Sequence, residues 1–166
     1  MQPIKIHKLV LTAVLVLLCN SLLSQHHEEN SHESHKEGGI HEIITSVIGA
    51  YSFAHEEWTP GTEFHYTYWF GHTFGGGFSY TAKYESEETL SDIALLGSWN
   101  ATRWLTLNVG PNFALKSEDR DFALLLYAEG EINVRVTKWF HFGPIFGTLL
   151  GEESEGSVGF HIGFEF

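Results

Sequence analysis

Across the run 121–135 every even position is apolar or glycine. Phe122, Leu124, Leu126, Ala128, Gly130, Ile132 and Val134 take the even positions, continued by Val136, while Tyr127, Glu129, Glu131, Asn133 and Arg135 stand between them. A period of two residues places successive side chains on opposite faces of a β-strand, so this segment has one apolar face and one polar face. The pattern recurs. Leu105, Leu107, Val109, Phe113 and Leu115 oppose Thr106, Asn108, Asn112 and Lys116; Phe64, Tyr66, Tyr68 and Phe70 oppose Glu63, His65 and Thr67; Phe74, Phe78, Tyr80 and Tyr84 oppose Gly75, Gly77, Ser79, Thr81 and Lys83. Eight such runs divide the chain from Ile40 onward, at 41–54, 63–71, 73–84, 90–100, 103–116, 121–135, 138–150 and 157–166, and none shows a helical period.

The length of these runs decides which solvent the apolar face meets. Globular strands run about five or six residues, whereas a tilted strand crossing a bilayer needs about 9 to 11. The polar faces are rich in small residues and poor in the lysine that solubilises an outer surface, as the crowded interior of a narrow barrel requires. The expected fold is all-β: an eight-stranded antiparallel up-and-down transmembrane β-barrel over 40–166. The alternative is a periplasmic soluble lipocalin-like barrel that binds an apolar ligand, with Phe64, Tyr66, Tyr80 and Phe122 lining its pocket. A mean hydropathy of −0.08 does not separate the two, because alternating faces average out in a membrane barrel as well.

The other end of the chain points to export. Lys5 and Lys8 precede the apolar run LVLTAVLVLL, and the polar segment CNSLLSQ follows. This is the layout of a secretory signal peptide, assigned to residues 1–24, with cleavage after Ser21 or Ser24. The run is shorter than the roughly 20 apolar residues a spanning helix needs. Cys19 is the only cysteine, so if it leaves with the signal, neither a disulfide nor thiol chemistry serves the mature chain. Residues 25–39, QHHEENSHESHKEGG, have no apolar period and read as a disordered polar tail. A formal net charge of −12 argues against a nucleic-acid partner.

The segments between runs alternate in kind. After odd-numbered runs come acidic stretches, HEEWTPGT, SEET, SEDR and EESEG; after even-numbered runs come the tighter GHT, NATR and VTK. Longer loops outside and short turns in the periplasm are the asymmetry of an outer-membrane barrel, which places both the N- and C-termini in the periplasm. Trp69, Trp99, Trp104, Trp139 and Phe140 flank the short turns, where an interfacial aromatic girdle would lie.

The chain ends on GFHIGFEF, with Phe160, Ile162, Phe164 and Phe166 on one face. An exported chain of eight alternating strands with this ending resembles the small outer-membrane β-barrels of the OmpA, OmpX and OmpW kind in Gram-negative bacteria. The resemblance covers 40–166. It implies that the last strand, ending at Phe166, is read by the outer-membrane assembly machinery as an insertion signal, and that lipid and lipopolysaccharide surround the wall. Members of that family serve as adhesins, lipid-interacting proteins, small channels and anchors, so the resemblance does not by itself give a function. The expectation is a non-enzymatic protein with a surface-structural or interaction role, since no catalytic constellation emerges.

Two segments carry metal-binding chemistry. His26, His27, His32, His35 and His41 interleave with Glu28, Glu29, Glu33 and Glu37, and imidazole with carboxylate suits Zn, Ni or Cu; a solvated spacer is the plainer reading. At the outer rim, Glu56, Glu57, Glu87, Glu88, Glu118, Asp119, Glu152, Glu153 and Glu155 would converge and could hold hard divalent ions. The strand histidines His65, His141 and His161 share the inward parity, but simple hairpin registers set them at different heights, so they read as hydrogen-bonded interior groups. Lys83, Asp92, Glu129, Glu131 and Arg135 likewise read as a plug, because eight staves enclose a space that side chains just fill.

Overall fold

A computed structural model of the protein describes residues 39–118, 120–151 and 154–166. The chain forms strands β1 (Ile40–Ser52), β2 (Glu57–Trp69), β3 (Phe74–Tyr84), β4 (Thr89–Thr102), β5 (Leu105–Ala114), β6 (Ala123–Ile132), β7 (Val134–Arg135), β8 (Phe140–Leu150) and β9 (Glu155–Glu165). Each stave pairs antiparallel with the next in sequence, β9 returns to pair with β1, and β8 pairs with both β6 and β7. The two pieces β6 and β7 flank Asn133 and are one stave, so the barrel is closed with eight staves. Closure leaves no unpaired sheet edge, which is the condition for placing strands in lipid. The expected fold class is therefore the one observed.

The two faces follow the parity of the sequence. Outward side chains are apolar and exposed: Leu124 at 64%, Leu95 at 53% and Val109 at 52%. Inward side chains are mostly polar and buried, among them His141 and His161 at 0% and Asp92 and Glu131 at 1%. Apolar side chains inside, such as Ala94, Leu96 and Ile145, are interspersed among them. This is the reverse of a water-soluble barrel. Tyr80 and Phe122, two of the residues that would line an apolar pocket in a soluble fold, are exposed on the outer wall, and the neighbours of Phe64 and Tyr66, Glu63 and His65, are the buried ones.

Two expectations are corrected. Strand β2 begins at Glu57, not near residue 63, because most of HEEWTPGT is strand: Pro60 pairs with Gly49 and Gly61 with Ile48. Proline and glycine punctuate chains locally, yet here the ladder runs past both. The turns 53–56 and 85–88 are then no longer than 70–73 and 136–139, while the connection 115–122 is longer and 103–104 shorter. The two ends also differ in charge: Glu56, Glu85, Glu87, Glu88 and Glu118 lie at one end, His72, Arg103 and Lys138 at the other. The second correction is Trp69, expected in the girdle but 4% exposed inside. It shares the parity of Glu63, His65 and Thr67, and its Nε1 donates to Glu42 Oε2 at 2.9 Å. Trp99, Trp104 and Trp139 do lie on the outer face.

Candidate functional site

The polar faces of the staves converge into a column of ionisable groups along the barrel interior. At the acidic end Lys83, 3% exposed, reaches Glu155 Oε2 at 2.7 Å and Asp92 Oδ2 at 3.3 Å. Arg120, from the long loop, closes over this group: it meets Asp92 Oδ1 at 2.9 Å and donates to the Ser91 carbonyl at 2.8 Å. Glu88 ties the same loop down, accepting from Ser117 Oγ at 3.0 Å and from the Glu118 backbone N–H at 3.2 Å.

Midway along the column His65 sits among three carboxylates. Its Nε2 is 3.2 Å from Glu63 Oε1, and its Nδ1 is 3.5 Å from Glu131 Oε1 and 3.7 Å from Glu129 Oε1. Glu63 Oε1 accepts from Thr81 Oγ1 at 2.8 Å and from the Tyr127 hydroxyl at 3.0 Å. Asn108 Nδ2 donates to Glu131 Oε1 at 2.6 Å and Glu129 Oε1 at 3.3 Å.

Toward the other end His161 Nε2 lies 3.1 Å from Asn133 Oδ1, and its ring packs edge-on against His141 at 5.5 Å between centroids. His141 faces Glu42 at 3.4 Å and Glu165 at 3.7 Å. Arg135 Nη1 meets Glu165 Oε1 at 2.6 Å. A column of charged and polar side chains runs along the interior from Arg120 to Arg135 and leaves spaces between its members. One, of about 20 Å³, lies between Glu63, Thr81, Lys83, Asp92 and Tyr127, room for about one water.

The histidines read from sequence as metal ligands are placed as follows. His26, His27, His32 and His35 lie outside the described residues. His41 opens β1, where its Nδ1 is 2.8 Å from the Tyr66 hydroxyl and its ring stacks on Phe166 at 5.6 Å. Of the rim acids, Asp119, Glu152 and Glu153 lie outside the described residues, Glu88 is bound by the long loop, and Glu155 turns inward to Lys83. The interior histidines were expected to stand apart. His65 does stand apart from the other two, but His141 and His161 pack together, and two of the three meet carboxylates from other staves: one ligand atom each from Glu63, His65 and Glu129 fall within 4.8 Å of one another, and so do those of Glu42, His141 and Glu165. Inward parity was visible in the sequence; which staves face each other across the barrel was not.

The class defined by a closed eight-stave barrel, apolar outside and polar inside, is the transmembrane β-barrel. No protein-family model matches the sequence, and no curated protein matches it significantly. Among solved structures, the chain is similar to the N-terminal β-barrel domain of Pseudomonas aeruginosa OprF, with 15% identity and a TM-score of 0.54 over 78% of this chain and 100% of that one. It is similar to Ail, the attachment invasion locus protein of Yersinia pestis, with 12% identity and a TM-score of 0.52 over 79% and 100% of the two chains. Neisserial surface protein A matches with 12% identity and a TM-score of 0.52 over 77% and 97%. The fold is that of the small eight-stranded outer-membrane β-barrels.

Proposed function

We propose that this protein is a non-enzymatic outer-membrane β-barrel whose role is structural or interactive at the cell surface. The observation that carries this reading is the inversion of the fold: exposed leucine, valine and phenylalanine outside, buried glutamate, histidine and lysine inside. Only a lipid solvent makes that arrangement favourable. In this reading residues 1–24 are the signal peptide, 25–39 a polar tail, and 40–166 the barrel, with both termini in the periplasm and the acidic turns outside.

The wall suits lipid and lipopolysaccharide as partners, and Phe160, Ile162, Phe164 and Phe166, all exposed on the outer face, suit recognition by the assembly machinery. Ail has been solved in complex with the heparin analogue sucrose octasulfate. The rim here carries Glu56, Glu85, Glu87, Glu88 and Glu118, which repel such polyanions and favour divalent cations shared with lipopolysaccharide phosphates. In the tail, His26, His27, His32 and His35 would bind Zn, Ni or Cu in the periplasm.

Cell fractionation with heat-shift electrophoresis tests the class. The protein should sediment with the outer membrane and migrate differently before and after boiling. Recovery in the soluble periplasmic fraction with no heat shift would overturn the reading.

A further inference from the structure

Glu63 and His65 belong to β2, and Glu129 and Glu131 to β6. In an eight-stave ring these two staves are four apart in either direction, so they are opposite walls. Between them, three carboxylates at 5%, 5% and 1% exposure surround one imidazole at 2%. With all three carboxylates ionised, even a protonated imidazole would leave two negative charges uncompensated. The other contacts are neutral donors, Thr81, Tyr127 and Asn108. Among the described residues no lysine or arginine forms an ion pair with these glutamates: Lys83 and Arg120 are held by Asp92 and Glu155, and Arg135 by Glu165. A buried charge needs a partner.

Two buried atoms here also lack a hydrogen-bond partner, His65 Nδ1 and Glu131 Oε2. The Nδ1 distances to Glu131 and Glu129 oxygens, 3.5 and 3.7 Å, are too long for good hydrogen bonds. The Glu129 distance is close to the spacing of ligands around a shared ion, since two donors each about 2.1 Å from a metal at a tetrahedral angle stand roughly 3.4 Å apart, and one ligand atom each from Glu63, His65 and Glu129 fall within 4.8 Å of one another. The second cluster, Glu42, His141 and Glu165, differs in that Arg135 and the Trp69 N–H already serve its carboxylates.

We propose that Glu63, His65 and Glu129 form a divalent transition-metal site inside the barrel, with Glu131 beside it, and that the bound ion ties β2 to β6 across the interior. One imidazole with carboxylates suits ions of the zinc and manganese type. The ion supplies the positive charge that the cluster lacks and replaces long side-chain contacts by short bonds between opposite walls. Tyr127, Thr81 and Asn108 then orient the carboxylates from outside the ligand set, as partners of metal ligands do.

The test uses the full chain refolded in detergent micelles, with His26, His27, His32 and His35 replaced by Asn so that the tail cannot contribute. Zinc alone is titrated by calorimetry, and heat unfolding is followed with zinc and with chelator. One zinc per barrel should bind and raise the unfolding temperature. Glu129→Gln should weaken binding ~10-fold or more, His65→Asn should abolish it, and His141→Asn should leave it unchanged, each variant being checked for heat-shifted mobility. If His65→Asn fails to fold, Glu129→Gln and Glu63→Gln decide. Absence of binding in the tail-substituted barrel, equal affinity in Glu129→Gln, or loss of binding in His141→Asn alone would overturn the proposal.

Discussion

His41 and Phe166 exchange both of their backbone hydrogen bonds, at 2.9 and 2.8 Å, and stack their rings at 5.6 Å with an interplanar angle of 14°. This pair extends the β1–β9 ladder one step past Glu42 and Glu165, so the last residue of the sequence completes the seam that makes the sheet a barrel. Its ring, 68% exposed, lies on the lipid side.

Deleting Phe166 removes those two hydrogen bonds, a loss of about 1–3 kcal/mol at roughly 0.5–1.5 each. The truncated chain should therefore still fold in detergent and keep its heat shift. In cells it should be exported but accumulate unassembled in the periplasm, because the ending proposed as the insertion signal is gone. Membrane assembly at the wild-type yield would show that the ending is only structural.

Val109 pairs with Gly97 on one side and Ala128 on the other, in the middle of the apolar wall. Val109→Arg should cost about 2–4 kcal/mol, and Leu124→Arg, near the acidic end of its stave, about 0–1 kcal/mol. Leu126 is a poorer midplane site, since it pairs with Leu150 at the very end of β8. Urea unfolding in lipid vesicles measures the difference, and equal costs at both depths would contradict a bilayer-spanning wall.

The Tyr127 hydroxyl donates to Glu63 at 3.0 Å in a buried setting. Tyr127→Phe keeps the ring and leaves that carboxylate with Thr81 as its hydroxyl donor. An unfolding free energy lower by about 1–3 kcal/mol is expected. A neutral result would mean that the interior network contributes little to stability.

Gly143 sits where β8 crosses from β6 to β7, and a Cβ built there overlaps the carbonyl oxygen of Ile132. Gly143→Ala should destabilise by about 1–3 kcal/mol through overpacking. Gly71, in a turn, has open space around a Cβ, and Gly71→Ala should stay within about 0.5 kcal/mol. Parallel urea titrations compare them.

Ion pairs and hydrogen bonds occupy the interior from Arg120 to Arg135. Planar-bilayer recordings should accordingly show no large, stable conductance steps. Porin-like steps would require an interior far emptier than this one.

The parity of each stave was legible in its own residues. Side-chain direction alternates with a period of two whatever a strand pairs with, so Leu124 outward and Glu129 inward could be read from residues 121–135 alone. The same rule, applied through Glu63, His65 and Thr67, would have turned Trp69 inward; its place beside a short turn suggested an interface instead. Strand ends were less legible, because Pro60 and Gly61 carry a turn signal that the ladder with β1 overrides. Which inward residues meet is set by the closed ring as a whole. Tyr127 and Glu63 are 64 positions apart, and no local pattern encodes their contact. It follows from closure into eight staves and from the registers that set the height of each inward side chain. Those two quantities are properties of the whole ring, and they bring His65 among Glu63, Glu129 and Glu131.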